Sequence, residues 1–364
     1  MMDSLWKLAG LATSAPERAP EPTKNVDGLW TTIDGAAPSP RSGHASVVAN
    51  SVMYVLGGYD KGQCFGDIHA YDLTRREWSK VDWGGAANFA AGCASHAMCV
   101  SPDETSIYVY GGSGPRWGAA NRDKLLQFTL STQQWSVVAT AGTPPPPGYG
   151  QSMVAIGSKL YLFGGTSGHD YHNDLFVFDA TTSAWSCAAV TGAKPSPRYK
   201  HGAVVVGNDM YIVGGGLYGP RKGPIDLFKF DTLTSHWTEV VCVGDVPPAR
   251  LAHSVVLHID SLGQPALLVF GGRDFTEKRT NGLWSLHLPT ATWTKLVGSA
   301  SEAPDALVFH TAVMWQQRMV VFGGTKEAAG QSPDEAERSN ALVEYCGVSD
   351  ERHWVLVASE GDDA

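Results

Sequence analysis

Apolar bursts of four to six residues recur along the chain in pairs, each pair bounded by turn residues. The first burst of a pair follows a proline-rich turn, as in "HASVVAN", "HGAVVVG", "HSVVLHI" and "HTAVMW". The second stops on two glycines: "VMYVLGG" at Gly57 and Gly58, "SIYVYGG" at Gly111 and Gly112, "KLYLFGG" at Gly164 and Gly165. "MYIVGGG" at Gly214, "ALLVFGG" at Gly271 and "MVVFGG" at Gly323 complete the set, so the ending returns every 50 to 57 residues. Bursts this short and rich in β-branched and aromatic residues predict strands, and a glycine pair supplies the positive φ of a sharp reversal. Gly214, Gly216 and Gly219 formally fit a nucleotide-binding G-x-G-x-x-G. That motif needs a following helix, whereas "PRKGPIDLFKF" reads as a turn and another strand.

Aligned on the glycines, every repeat has four strands in one order. The third carries "DIHAYD", "KLLQFTL", "DLFVFD", "DLFKFD", "GLWSLHL" or "ALVEYC", and the fourth starts at Trp78, Trp135, Trp185, Trp237, Trp293 or Trp354. The first two strands are apolar on both faces, as in a sheet packed between neighbours, and the later ones alternate as they near a rim. Six such sheets can cover all their faces only by stacking into a ring, which predicts an all-β fold: a six-bladed β-propeller with four antiparallel strands per blade. The Gly-Gly ending, the aromatic residue before it and the tryptophan opening strand four together resemble the kelch family, over about Leu29 to Ala358. A seventh tryptophan, Trp30, stands 14 residues before His44, close to the 16 separating Trp185 from His201 and Trp237 from His253. The N-terminal strand around Trp30 is therefore expected to close the ring on blade six, with the Trp354 strand competing for the same place. The resulting division is an N-terminal tail and proline-rich linker over 1–26, in which "DSLWKLAGLA" could form a short helix, the propeller over 27–359, and an acidic tail over 360–364.

Composition sharpens this. In 364 residues there are 41 glycines and 21 prolines, matching many short strands, and the formal charge of −9 disfavours a nucleic-acid-binding stripe. No apolar run reaches membrane-spanning length. Six cysteines, Cys64, Cys93, Cys99, Cys187, Cys242 and Cys346, have no framework spacing and read as free thiols, and no export signal is evident at the start, so a cytoplasmic setting is expected.

Connections after strands two and four leave on one face, and that face carries the long loops, where binding usually resides. Aromatic and basic residues gather there. The predicted partner-binding set is Arg116, Trp117, Arg198, Tyr218, Arg221, Lys222, Arg250, Arg273, Phe275, Lys278 and Arg279, with Tyr59, Tyr171 and Lys200 on the same loops and turns. Arginine and aromatics dominate protein interfaces, so the expected ligand is another protein or an acidic peptide, bound by a monomer acting as a scaffold or adaptor. Arg41, Arg198 and Arg250 each stand three residues before His44, His201 and His253, a repetition that also suits a structural role in the turns. No catalytic residue or cofactor is predicted. His169 and His172 in "HDYHN" are weak metal candidates, and Cys93, His96 and Cys99 in "CASHAMC" alternate across a strand and do not converge. Resemblance to kelch proteins also leaves open a small-molecule enzyme or lyase working at the central mouth, in the manner of plant specifier proteins or bacterial sialate mutarotases. The specifier iron motif Glu-x3-Asp-x3-His does not occur here.

Overall fold

The structure, a computed structural model, describes residues 37–85, 92–260, 262–296, 304–326, 336–346 and 353–358. Those residues form six four-stranded antiparallel blades, with one short 3-10 turn at Leu288–Thr290. Blade one consists of Ala45–Ala49, Val52–Leu56, Ile68–Asp72 and Glu77–Lys80, and blade four of Gly202–Val206, Asp209–Val213, Leu227–Asp231 and His236–Glu239. Each inner strand lies against the inner strands of both neighbours, and the last, Thr311–Trp315, returns to the first, Ala45–Ala49. The result is a closed propeller around a central channel.

At three of the blade seams the two sequence marks of the repeat meet as packed rings. Trp185 of blade three packs on Tyr110 of blade two, Trp237 on Phe163, and Trp78 on Phe322 of blade six, with ring centroids 5.5, 5.2 and 5.1 Å apart. Trp237 and Trp293 are almost wholly buried. A short segment after the fourth strand also crosses to the next blade, pairing parallel with its outer strand, as Ala141–Gly142 does with Ala184 and Trp185.

The glycine pairs explain themselves at the seam between blades six and one. Gly323 and Gly324 have φ of +66° and +98°, and a Cβ on Gly323 would stand 2.7 Å from His44 Cε1. Gly324 N–H donates to the Arg41 carbonyl of blade one at 2.9 Å. The same bond recurs at every seam: Gly58 to Cys93, Gly112 to Gly148, Gly165 to Arg198, Gly215 to Arg250 and Gly272 to Leu307.

In blade six the place beside the third strand is taken by His353–Ala358, which pairs antiparallel with Leu342–Cys346. The expected closing strand around Trp30, the N-terminal helix and both tails lie outside the described residues. Among the described residues no helix is long and apolar enough to cross a membrane. Cys64, Cys93, Cys99, Cys187 and Cys242 are free thiols, and burial pushes those of Cys93 and Cys99 up to about 12.

Candidate functional site

Each inner strand is entered by a residue in the left-handed region: Gly43, Ser95, Gly150, Lys200, Ala252 and Phe309, with φ between +55° and +70°. Four of the six are not glycine, an uncommon concentration of a costly conformation. Their backbones form a closed circuit: Ser95 N–H donates to Gly43 O, Gly150 to Ser95, Lys200 to Gly150, Ala252 to Lys200, Phe309 to Ala252 and Gly43 to Phe309, at 2.7 to 3.1 Å. This circuit frames the mouth of the central channel on the loop face.

One residue further, His44, His96, Gln151, His201, His253 and His310 form the next tier, and with the circuit they line a cavity of about 130 Å³. Burial is the main reason these imidazoles resist protonation: it takes His96, His201, His253 and His310 down to about 3, and His44 well below its ordinary value. Nε2 of His44, His201 and His310 hydrogen-bonds with the hydroxyl opening the preceding blade's inner strand: Thr311, Ser152 and Ser254, at 2.8, 2.8 and 2.9 Å. His253 faces Gly202 at that place, and neither of its ring nitrogens makes a side-chain hydrogen bond among the described residues.

The Lys200 side chain crosses the mouth. Its Nζ donates to Ser95 Oγ, two blades away, at 2.6 Å, and lies 4.3 Å from the Phe309 ring centroid, two blades away on the other side. Residual exposure to the channel leaves the side chain half-buried, yet the enclosing walls push its ammonium down to about 7.

Outside the mouth, aromatic rings run edge to face over blades one to four. Tyr59 meets Trp117 at 6.0 Å, Trp117 meets Tyr149 at 5.2 Å, and Tyr149 meets Tyr199 at 6.4 Å. Tyr171 then joins Tyr199 to Tyr218 at 5.3 and 5.5 Å. Trp117 and Tyr218 face solvent. Burial, and secondarily the neighbouring tyrosines, pushes the Tyr149, Tyr171 and Tyr199 hydroxyls upward, so these three rings stay neutral. Tyr149 and Tyr199 were not among the predicted contacts. A comparison of the residues two before each tier position, Ser42, Ala94, Tyr149, Tyr199, Leu251 and Val308, would have singled them out.

The predicted contact residues divide into three groups. Arg116, Trp117, Tyr218, Arg221, Lys222, Phe275 and Lys278 are exposed on the loop face, with Arg221 3.5 Å from Asp226. Arg273 and Arg279 are half-buried braces: Arg273 bonds Glu277 and the Tyr218 carbonyl of blade four, and Arg279 donates to the Lys326 carbonyl of blade six. Arg198 and Arg250 are corrected to structural residues. Both are buried; Arg198 grips Asp226 with two bonds at 2.8 and 2.9 Å and the Gly214 carbonyl at 2.8 Å. Arg250 donates to the Gly271 and Pro248 carbonyls and stacks 4.0 Å from the Trp284 ring centroid. Arg41 makes the same grip on Asp67 and Gly57 in blade one, so the repeated arginine secures the turn from inside. His169 is exposed and His172 half-buried. Among the described residues no three metal-ligating side chains gather.

The blade geometry agrees with a sequence profile, the KLHDC2/KLHL20/DRC7 Kelch-repeats domain, which matches residues 24–112, 86–263 and 200–363. The chain belongs to the kelch-repeat family. Human host cell factor 2 is 28% identical over 344 residues, covering 92% of this chain and 37% of that protein. Acyl-CoA-binding domain-containing protein 5 of Arabidopsis thaliana is 28% identical over 350 residues, 93% of this chain and 44% of its own. Human host cell factor 1 is 28% identical over 328 residues, 85% of this chain and 13% of its own. This kelch chain thus spans less than half the length of these curated relatives.

Proposed function

We propose that this kelch propeller is a protein-interaction module that receives an acidic segment of a partner across its loop face. The observation that carries this reading is the aromatic arc from Tyr59 to Tyr218, in which Trp117 and Tyr218 face solvent and around which Arg116, Arg221, Lys222 and Lys278 are exposed on the loops. Arg116, Lys222 and Lys278 enter no ion pair among the described residues. Neutral rings with flanking cations suit a chain that presents carboxylates beside apolar side chains, through charge-assisted hydrogen bonds and stacking.

The platform is braced in advance. Asn121 Nδ2 donates to Ser167 O at 2.8 Å between blades two and three, and Arg273 and Arg279 tie blade five to blades four and six. Little ordering entropy is then lost on binding. With a formal charge of −9 over the whole chain, attraction to an acidic partner has to be local, and it weakens with salt as exposed charges are screened. Free thiols, among them the exposed Cys187, suit a reducing compartment, and we place the working protein in the cytoplasm as a monomer.

The test is binding of the full chain to labelled acidic peptides that contain aromatic or proline residues, with a sequence-scrambled neutral set alongside. Trp117→Ala with Tyr218→Ala is expected to weaken the best acidic peptide by about tenfold or more, a hot-spot loss. Reversing Arg221, Lys222 and Lys278 to glutamate is expected to abolish the salt dependence. Undiminished affinity in both variants, with the melting temperature unchanged, overturns the reading.

A further inference from the structure

The mouth of the channel holds an amine with unusual surroundings. Lys200 enters from blade four, spans the mouth and ends between Ser95 and Phe309. Four of the six circuit positions, Gly43, Ser95, Gly150 and Ala252, carry a small side chain or none, so the space around the tip is open to the loop face rather than filled. No carboxylate pairs with Lys200 among the described residues, and its one side-chain hydrogen bond is to a hydroxyl. The ionisable groups facing it are the neutral imidazoles of His44, His96, His201, His253 and His310. Arg41, Arg198 and Arg250 lie behind these and are turned into their own blades. An ammonium in such a place has no paired anion among the described residues and is partly desolvated by the enclosing walls, and both favour the free amine.

We propose that Lys200 is a nucleophilic amine that captures a small carbonyl compound as an imine in the channel mouth. The free amine attacks the carbonyl carbon, forming the N–C bond while the C=O π electrons move to oxygen. One N–H proton is transferred to that oxygen, with Ser95 Oγ, 2.6 Å from Nζ, placed to relay it. The carbinolamine then expels its hydroxyl as water, taking up one proton, and the nitrogen gives up its remaining proton as the C=N bond forms. The products are one imine and one water, with no change in oxidation state. A cavity of about 130 Å³, open to the loop face, has room around the amine for a compound of a few heavy atoms. Desolvation, which takes Lys200 down to about 7, leaves a large share of it as free amine in neutral solution, where exposed lysines are almost wholly protonated.

The experiment uses the full chain, propanal as the carbonyl probe and cyanoborohydride to trap the imine as a propylamine, with each lysine followed by peptide mass spectrometry. At pH 7.5 Lys200 is expected to be trapped about tenfold or more faster than exposed Lys222 and Lys278. Its rate should reach half its maximum near pH 7. Ser95→Ala is expected to slow Lys200 trapping at unchanged melting temperature, and Lys200→Arg to remove the fast site while leaving the other lysines as they were. Trapping of Lys200 no faster than Lys222, or only once guanidinium has unfolded the chain, overturns the proposal. Both outcomes are read on the wild-type protein, so a variant that fails to fold does not shield it.

Discussion

Lowering the pH from 7.5 to 5 should remove most of the stability of this propeller, and the channel histidines set the size of the effect. His44, His96, His201, His253 and His310 are buried and held neutral, four of them down to about 3, against an unfolded value of about 6.5. A histidine depressed on folding leaves the native state at full stability above about pH 6.5. That stability drains away as the pH falls towards 3, because the unfolded chain binds the protons that the folded chain refuses. Each such group costs about 1.4 kcal/mol per pH unit below 6.5, hence ~2 kcal/mol at pH 5, and five acting independently cost about 10 kcal/mol. Domains are typically stable by about 5–15 kcal/mol, so unfolding near pH 5 is expected. Carboxylates do not enter until lower pH; Asp67, although burial pushes it up, is held below the usual range by bonds from His69 and Arg41. The assay is guanidinium unfolding followed by tryptophan fluorescence at half-unit steps from pH 7.5 to 5. The slope of stability against pH should approach an uptake of about five protons on unfolding. His253→Gln, which copies the residue already present at Gln151, should reduce that uptake by about one. Stability that stays level from pH 7 to 5 would refute the reasoning.

Replacing Arg198 with methionine removes both of its bonds to half-buried Asp226, leaving that carboxylate, among the described residues, only Arg221 at 3.5 Å, and strips the Gly214 carbonyl of its side-chain donor; it should cost about 2–3 kcal/mol in denaturant melts, whereas Lys222→Glu on the same face should change stability by less than about 0.5 kcal/mol. Equal effects would mean that Arg198 is not a structural grip. Gly324→Ala places a Cβ 2.8 Å from His310 Cβ and 3.0 Å from Val308 O at φ of +98°, so a loss of about 1–3 kcal/mol or more is expected in thermal unfolding. A wild-type melting temperature there would show that blade six accommodates a side chain at this left-handed turn.

The fold was legible because its marks repeat. The residue before Gly-Gly and the strand-opening tryptophan meet across a seam, as Phe163 and Trp237, Tyr110 and Trp185, and Phe322 and Trp78 do, and a packing requirement that recurs from blade to blade leaves a recurring pattern in the sequence. The site was less legible because the mouth does not repeat. Gly43, Ser95, Gly150, Lys200, Ala252 and Phe309 share a backbone conformation and a hydrogen bond but no side-chain chemistry, so nothing in their identities announces the circuit. Arg198 and Lys200 show the other difficulty. Two residues apart in one basic turn, they read alike, yet one is locked into its blade and the other reaches over the channel. Their directions follow from the left-handed turn at Lys200, which composition does not reveal. The aromatic arc likewise joins residues from four repeats, Tyr59 to Tyr218, that become neighbours only when the ring closes.

The backbone circuit at the mouth has a consequence for how such a protein can change. Its hydrogen bonds use only peptide N–H and C=O groups, and peptide dipoles laid head to tail around a circle cancel along the channel axis, unlike those aligned in a helix. The framework therefore brings no field of its own to the opening, and the six side chains mounted on it decide polarity, reactivity and width. A residue that tolerates the left-handed turn can be exchanged at these positions without removing a bond of the frame, although at Gly150 it has to displace Tyr199, whose ring would lie 3.0 Å from the new Cβ. The mouth is a socket with six replaceable contacts, in which new ligand chemistry can be tried one substitution at a time while the ring around it stays closed.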